Sequence, residues 1–173
     1  MVAKILLYIL VTVVVFIFME GVAWFLHKYV MHGFGWFLHK DHHYPRKGRF
    51  EKNDLFGLIF SLMSFLFVFT GVLSGFDWKL AVGIGIMLYG IGYFLVHDVF
   101  FHRRIKISYR PKSKYLERIL NAHGIHHAKS TPKTGVNFGF LYARAKKYKK
   151  PNKEPPTPEP FYQINSKLAF FAK

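Results

Sequence analysis

The sequence predicts an all-α protein, an integral membrane helical bundle with about three transmembrane helices and a histidine-rich cap on its cytoplasmic side. Three observations carry that expectation. Three apolar runs are long enough to cross a bilayer, 23 of the 25 Lys and Arg residues fall on one side of them, and all ten histidines sit in clusters on that same side.

The first run covers residues 5–26 and is broken only by Glu20. At ~1.5 Å per helical residue, its 22 residues cross the ~30 Å hydrocarbon core. It is long for the apolar part of a secretory signal, lacks a convincing small-residue cleavage site and leads directly into His27, so a retained membrane helix is expected. The second run covers 55–76. The third covers 80–96, is Gly-rich and continues into 99–101. Only Asp77, Trp78 and Lys79 separate these two, which predicts a helical hairpin with a tight turn.

Topology then follows from charge. The segment 27–54 holds six basic residues and 97–173 holds seventeen, whereas Lys4 and Lys79 stand alone on the other side. The positive-inside rule places the rich side in the cytoplasm, with the N-terminus outside the cell (inner) membrane and the C-terminus inside. A net charge of +16 is thereby explained by topology and anionic headgroups, and a nucleic-acid partner is not expected. Two parts are expected: a membrane domain over 1–145, and a basic, Pro-rich, mobile tail over 146–173. The absence of Cys excludes disulfides, thiolate metal sites and a Cys nucleophile.

The hairpin returns the chain to the face it left, so both histidine-bearing segments share one side. Their spacing repeats. His27 and His32 form H-x4-H, followed by His39, His42 and His43 as H-x2-HH; His97 and His102 form H-x4-H, followed by His123, His126 and His127 as H-x2-HH. On a helix each H-x2-HH set spans a 100° arc, so its three imidazoles are expected to face one pocket. For the second set the face continues upstream through Leu116, Ile119 and Leu120. H-x4-H fits an α-helix poorly, its members standing 140° apart. One of each pair is expected at a helix end, on a π-bulge or at a different metal. Gly33 and Gly35 supply a helix end after His32; no comparable breaker stands beside His102.

Ten imidazoles exceed the needs of a four-ligand structural zinc site. Two metal ions with about four or five ligands each use them economically, and imidazole suits Zn, Cu, Fe and Ni. The cap is therefore expected to be di-metal. Two irons held by nitrogen, with open positions, point to O2 activation.

The stretches HKYVMHGFGWFLHKDHHYPRKGRFEKNDL, LVHDVFFHRR, RPKSKYLERILNAHGIHHA and NFGFLYA resemble the bacterial non-haem β-carotene hydroxylases of the membrane fatty-acid hydroxylase superfamily. The resemblance covers about residues 2–145. The histidine boxes are specific to the superfamily, and the PRKG and NFGFLYA stretches point to the carotenoid branch. The resemblance implies a di-iron monooxygenase with O2 as co-substrate, converting β-carotene drawn from the bilayer to β-cryptoxanthin and then zeaxanthin. Its implied electron source is a reduced ferredoxin-type donor. Two alternatives stay open on the residues alone: a hydroxylase, ketolase or desaturase of another membrane lipid, such as a fatty acid or sterol, and a bis-His haem electron carrier.

Other residues carry two readings each. Glu20 is ionisable within a span and lies seven residues before His27, so it either hydrogen-bonds a ligand imidazole or is a protonated Glu bonded to another helix. Asp41 and Asp98 lie inside boxes, where structural roles are favoured over ligation. Asn137 either holds a metal-bound water or stabilises its loop. Gly83, Gly85, Gly90 and Gly92 permit close helix packing, the favoured reading, or line a groove for a long polyene.

Overall fold

The computed structural model describes residues 1–44, 48, 50–109, 111–129 and 135–143, and among them it is all-helical, without a strand. Helix α1 (Val2–Phe25) runs on as a π-helical stretch, Leu26–Phe34. A short α2 (Trp36–His39) follows, then a 3-10 turn, Lys40–His43. Helix α3 (Asp54–Leu73) leads to α4 (Trp78–Tyr93), which also runs on as a π-helical stretch, Phe94–Phe101; α5 (Lys114–Lys129) closes the order. Three helical segments are long and apolar enough to cross a membrane: Val2–Phe34, Asp54–Leu73 and Trp78–Phe101. The expected tail, 146–173, lies outside the described residues.

Helix α4 is the centre of the bundle, with α1 on one flank and α3 on the other. Small residues set how closely they pack. A Cβ on Gly83 would stand 2.7 Å from the Val68 backbone nitrogen, and one on Gly85 would stand 2.8 Å from the Thr12 carbonyl oxygen. Hydroxyls pin the same seams: Ser64 Oγ donates to the Gly83 carbonyl at 2.8 Å, and Thr12 Oγ1 to the Ala81 carbonyl at 3.1 Å. Close packing is thus the role of Gly83 and Gly85. Gly90 is different, with open space around its Cβ position, and Gly92 meets only the Leu141 side chain. Met19, Ile86 and Tyr89 form the buried core, while Leu6, Ile17, Phe18, Leu58 and Phe65 face outward, as apolar side chains do where lipid is the solvent.

The hairpin turn falls three residues earlier than the apolar pattern indicated. Helix α3 ends at Leu73 rather than running through residue 76, and α4 begins at Trp78. Gly75 (φ 77°) and Phe76 (φ 61°) are both left-handed, which stops the first helix. Asp77 then caps the second, its carboxylate accepting from the Lys79 backbone N–H at 3.0 Å. The hydrophobicity of Phe76 hid a turn that the neighbouring Gly and Asp were already signalling.

Gly85→Ala is expected to cost about 1–3 kcal/mol, as overpacking of a tight seam does. Gly90→Ala should cost nothing measurable, because nothing lies within 4 Å of its Cβ position. Thermal unfolding of the detergent-solubilised proteins, followed by gel filtration, compares the two. Equal melting would show that the seam between α1 and α4 is looser than described.

Candidate metal centre

The two π-helical stretches resolve the H-x4-H problem. A π-helix bonds residues five apart, bringing them nearly into line. The His102 N–H donates to the His97 carbonyl at 2.9 Å, and the Gly35 N–H to the Val30 carbonyl at 2.8 Å. Both members of each pair therefore turn inward. Gly33 (φ −106°, ψ −127°) kinks the chain after His32, and in the second half Arg103 (φ 51°) turns it directly after His102.

The ten histidines fall into two groups of five. His27, His32, His39, His43 and His126 each offer a ligand atom to the first; His42, His97, His102, His123 and His127 do so for the second. Within a group these atoms all lie within 4.8 Å of one another. Each half of the chain thus supplies four ligand atoms to one group and one to the other.

The H-x2-HH sets do not each face one pocket, as the 100° arc had implied; they divide between the two groups. His123 and His127, four apart on α5, stand ~40° apart and pair, and across the 3-10 turn His39 pairs with His43. The remaining histidine of each set, His42 or His126, faces the other group. His42 Nε2 accordingly meets His97 Nε2 at 3.0 Å, and His126 Nε2 meets His32 Nε2 at 3.2 Å. The groups adjoin: the rings of His43 and His127 stack with centroids 4.5 Å apart.

Electrostatics keep these rings ready as ligands. Burial, reinforced by neighbouring imidazoles, pushes His43 down to about 4 and His126 to about 3. Burial likewise takes His39 to about 2 and holds His42, His123 and His127 well below the ordinary histidine value. All six are neutral at pH 7, with one protonated nitrogen and one lone pair each.

The partners of Nδ1 show which nitrogen is which. His27 Nδ1 donates to the Phe138 carbonyl at 2.9 Å, His126 Nδ1 to the Val136 carbonyl at 2.7 Å and His39 Nδ1 to Asn53 Oδ1 at 2.7 Å. His42 Nδ1 donates to Glu51 Oε2 at 2.9 Å. With those protons committed outward, the Nε2 atoms of these four rings carry lone pairs. His27 Nε2 is buried with no hydrogen-bond partner. The inward contacts measure 3.0–3.4 Å. A metal ~2.1 Å from each nitrogen would space adjacent ligands by about 3.0 Å in an octahedron or about 3.4 Å in a tetrahedron. The donor set fits two metal ions.

Aromatic side chains close the site. Phe140 stacks on His27 (4.8 Å between centroids, 12° between planes) and Tyr93 on His97 (4.5 Å, 22°). Trp36 lies against His32 and His43, and Phe101 against His123 and His127.

The remaining singled-out residues stand one step back. Among the described residues Glu20 bonds no imidazole directly, and of its partners there only Tyr89 comes from another membrane helix. Its carboxylate accepts from the Tyr89 hydroxyl and from the backbone N–H groups of Phe140, Leu141 and Tyr142, at 2.8–3.1 Å. It anchors the strap 138–142, and the strap holds His27. Asp41 accepts from the Lys52 N–H, a structural role. Asn137 (φ 60°) donates to the Ala122 carbonyl, fastening its loop to α5. Asp98 faces His97, as described below. Sequence reasoning missed Glu51, Asn53, Asp54 and Arg104; for the first three the run EKND at the start of α3 was the available signal.

The family model described as Fatty acid hydroxylase matches residues 12–144. The chain is 45% identical over 135 residues to a beta-carotene hydroxylase from Pantoea ananas, covering 78% of this chain and 76% of that protein. It is 43% identical to a beta-carotene hydroxylase from Pseudescherichia vulneris, again over 78% and 76%. A third beta-carotene hydroxylase, from a Paracoccus strain, is 38% identical over 78% of this chain and 83% of its own. No solved structure matches.

Proposed function

The chain belongs to the fatty acid hydroxylase family, and we propose that it is a β-carotene 3-hydroxylase that forms β-cryptoxanthin and then zeaxanthin with two irons held by its ten histidines. The observation that carries this reading is the convergence of ten ring nitrogens into two adjoining groups where the apolar spans end. A carotene dissolved in the bilayer needs its oxidant at that place.

When bound, the irons supply the oxidant that inserts one atom of O2 at an unactivated ring carbon, while a ferredoxin-type donor provides the two electrons that, with two protons, take the other atom to water. The chain's own residues make this possible. The neutral imidazoles bind, and the Nδ1 contacts with Asn53, Glu51 and the carbonyls of Val136 and Phe138 set the orientation of each ring. Phe138, Phe140 and Tyr93 pack over the rings and exclude water. We assign the activity to residues 1–145, with 146–173 outside the catalytic unit.

Product analysis in cells that accumulate β-carotene tests the reaction: β-cryptoxanthin and zeaxanthin are expected, and a fatty-acid, sterol or keto product would give the site another substrate. Purified protein should carry about two irons per chain and no haem. Firm zinc occupancy in active enzyme would count against iron, and a haem Soret band would return the electron-carrier reading.

Topology has its own test. We place the N-terminus outside and the histidines and C-terminus in the cytoplasm. A reporter after Lys173 should read cytoplasmic and one inserted at Gly75 periplasmic; the same side for both would refute the arrangement.

A further inference from the structure

The two halves of the chain repeat the same histidine spacing, so each histidine has a counterpart, and the counterparts can be compared by what their Nδ1 atoms meet. His27 and His97 are one such pair. His27 donates to a carbonyl, that of Phe138, whereas His97 Nδ1 faces the carboxylate of Asp98 at 3.4 Å, a charge contact rather than a formed hydrogen bond. At the position of Asp98 the first half has Lys28, whose ammonium turns away to lie over the rings of Trp24 and Tyr29. His42 and His126 are another pair. His126 donates to the Val136 carbonyl, and His42 donates to the Glu51 carboxylate. In both pairs the histidine with the carboxylate belongs to the second group and the histidine with the neutral oxygen belongs to the first.

One side chain joins the two carboxylates. Arg104 makes ion pairs with Asp98 Oδ1 at 3.1 Å, Glu51 Oε2 at 3.2 Å and Asp54 Oδ1 at 2.6 Å. Its backbone N–H also donates to the Asp98 carbonyl at 2.9 Å. Glu51 and Asp98 come from opposite halves of the chain, and side-chain exposures of 6% and 9% leave them little water to compete for.

Resting on the di-iron reading above, we propose that Arg104 is a positioning residue that makes the two metal groups unequal: it holds Glu51 and Asp98 against His42 and His97, and the second group binds its metal more tightly than the first. A carboxylate on the far nitrogen of an imidazole makes the near nitrogen a stronger donor, and losing such a partner commonly costs 10–100-fold in metal affinity.

Stepwise removal of iron from the purified holoenzyme by a colorimetric ferrous chelator tests this. Wild type should release one iron readily and the other only at about 10–100-fold higher chelator concentration. His39→Ala should lack the weak step and His123→Ala the tight one, which assigns each step to its group. Glu51→Gln and Asp98→Asn keep side-chain volume and should move only the tight step toward the weak one; Arg104→Gln should do the same, with Arg104→Lys partly restoring it. Asn53→Ala keeps the Arg104 network and should loosen only the weak step, widening the gap. Two irons released together from wild type, or a tight step unmoved in Glu51→Gln and Asp98→Asn, would overturn the inference and leave the di-iron reading standing. Fewer than two irons in fully loaded wild type would overturn that reading itself.

Discussion

His42→Ala and His126→Ala are each expected to abolish hydroxylation almost completely, with the double variant hardly worse than either single one. Each of these residues belongs to one half of the chain but joins the histidine group built by the other half. Removing either leaves four ligands in one group and five in the other. The centre acts as a unit, so losses of its parts do not add. Folding should survive, because the core of Met19, Ile86 and Tyr89 and the glycine seams of α4 lie within the membrane spans. The measurement is zeaxanthin formed per unit of membrane-inserted protein in β-carotene-producing cells, with iron per chain alongside. A single variant keeping near-wild-type turnover at an unchanged protein level would sink the crossed arrangement. Lys146→Ala with Lys147→Ala is the control and should change little.

How much of this was legible beforehand divides along physical lines. The membrane helices were legible because apolar length is a long-range, additive signal that survives errors at individual residues. The histidine set was legible because one residue type recurred at one spacing in both halves. The turn at Gly75 and Phe76 was misplaced, since hydrophobicity outweighed backbone conformation in reading residue 76. Pairing within each group was misread for a subtler reason. A 100° arc places three rings on one face, but two metals side by side can each take part of that arc, and helical periodicity does not count metals. Arg104 was not legible at all. Its partners lie 6, 50 and 53 residues away in sequence, and only folding brings Asp98, Asp54 and Glu51 to one guanidinium.

Glu20→Ala is expected to be nearly as damaging to activity as loss of a ligand, although Glu20 touches no histidine. Its two carboxylate oxygens gather three backbone N–H groups and the Tyr89 hydroxyl. Gly139 allows the strap to wrap that closely, since a Cβ there would stand 2.8 Å from Glu20 Oε1. Truncation to Ala leaves these donors without an acceptor, at about 1–3 kcal/mol for each one that stays buried. The strap can then lower its energy only by leaving, and it takes with it the Phe138 carbonyl that orients His27 and the Phe140 ring stacked on His27. Glu20→Gln should be milder. Its amide oxygen can take the place of Oε1 and keep the backbone donors, while its NH2 meets the Tyr89 hydroxyl, which can accept. Tyr89→Phe, which removes a single donor, should be milder still. The expected order of retained zeaxanthin formation, iron content and protease resistance of the 135–143 segment is wild type, Tyr89→Phe, Glu20→Gln, Glu20→Ala. Wild-type iron and turnover in Glu20→Ala would show that the strap holds its place without the carboxylate, and that His27 does not depend on it.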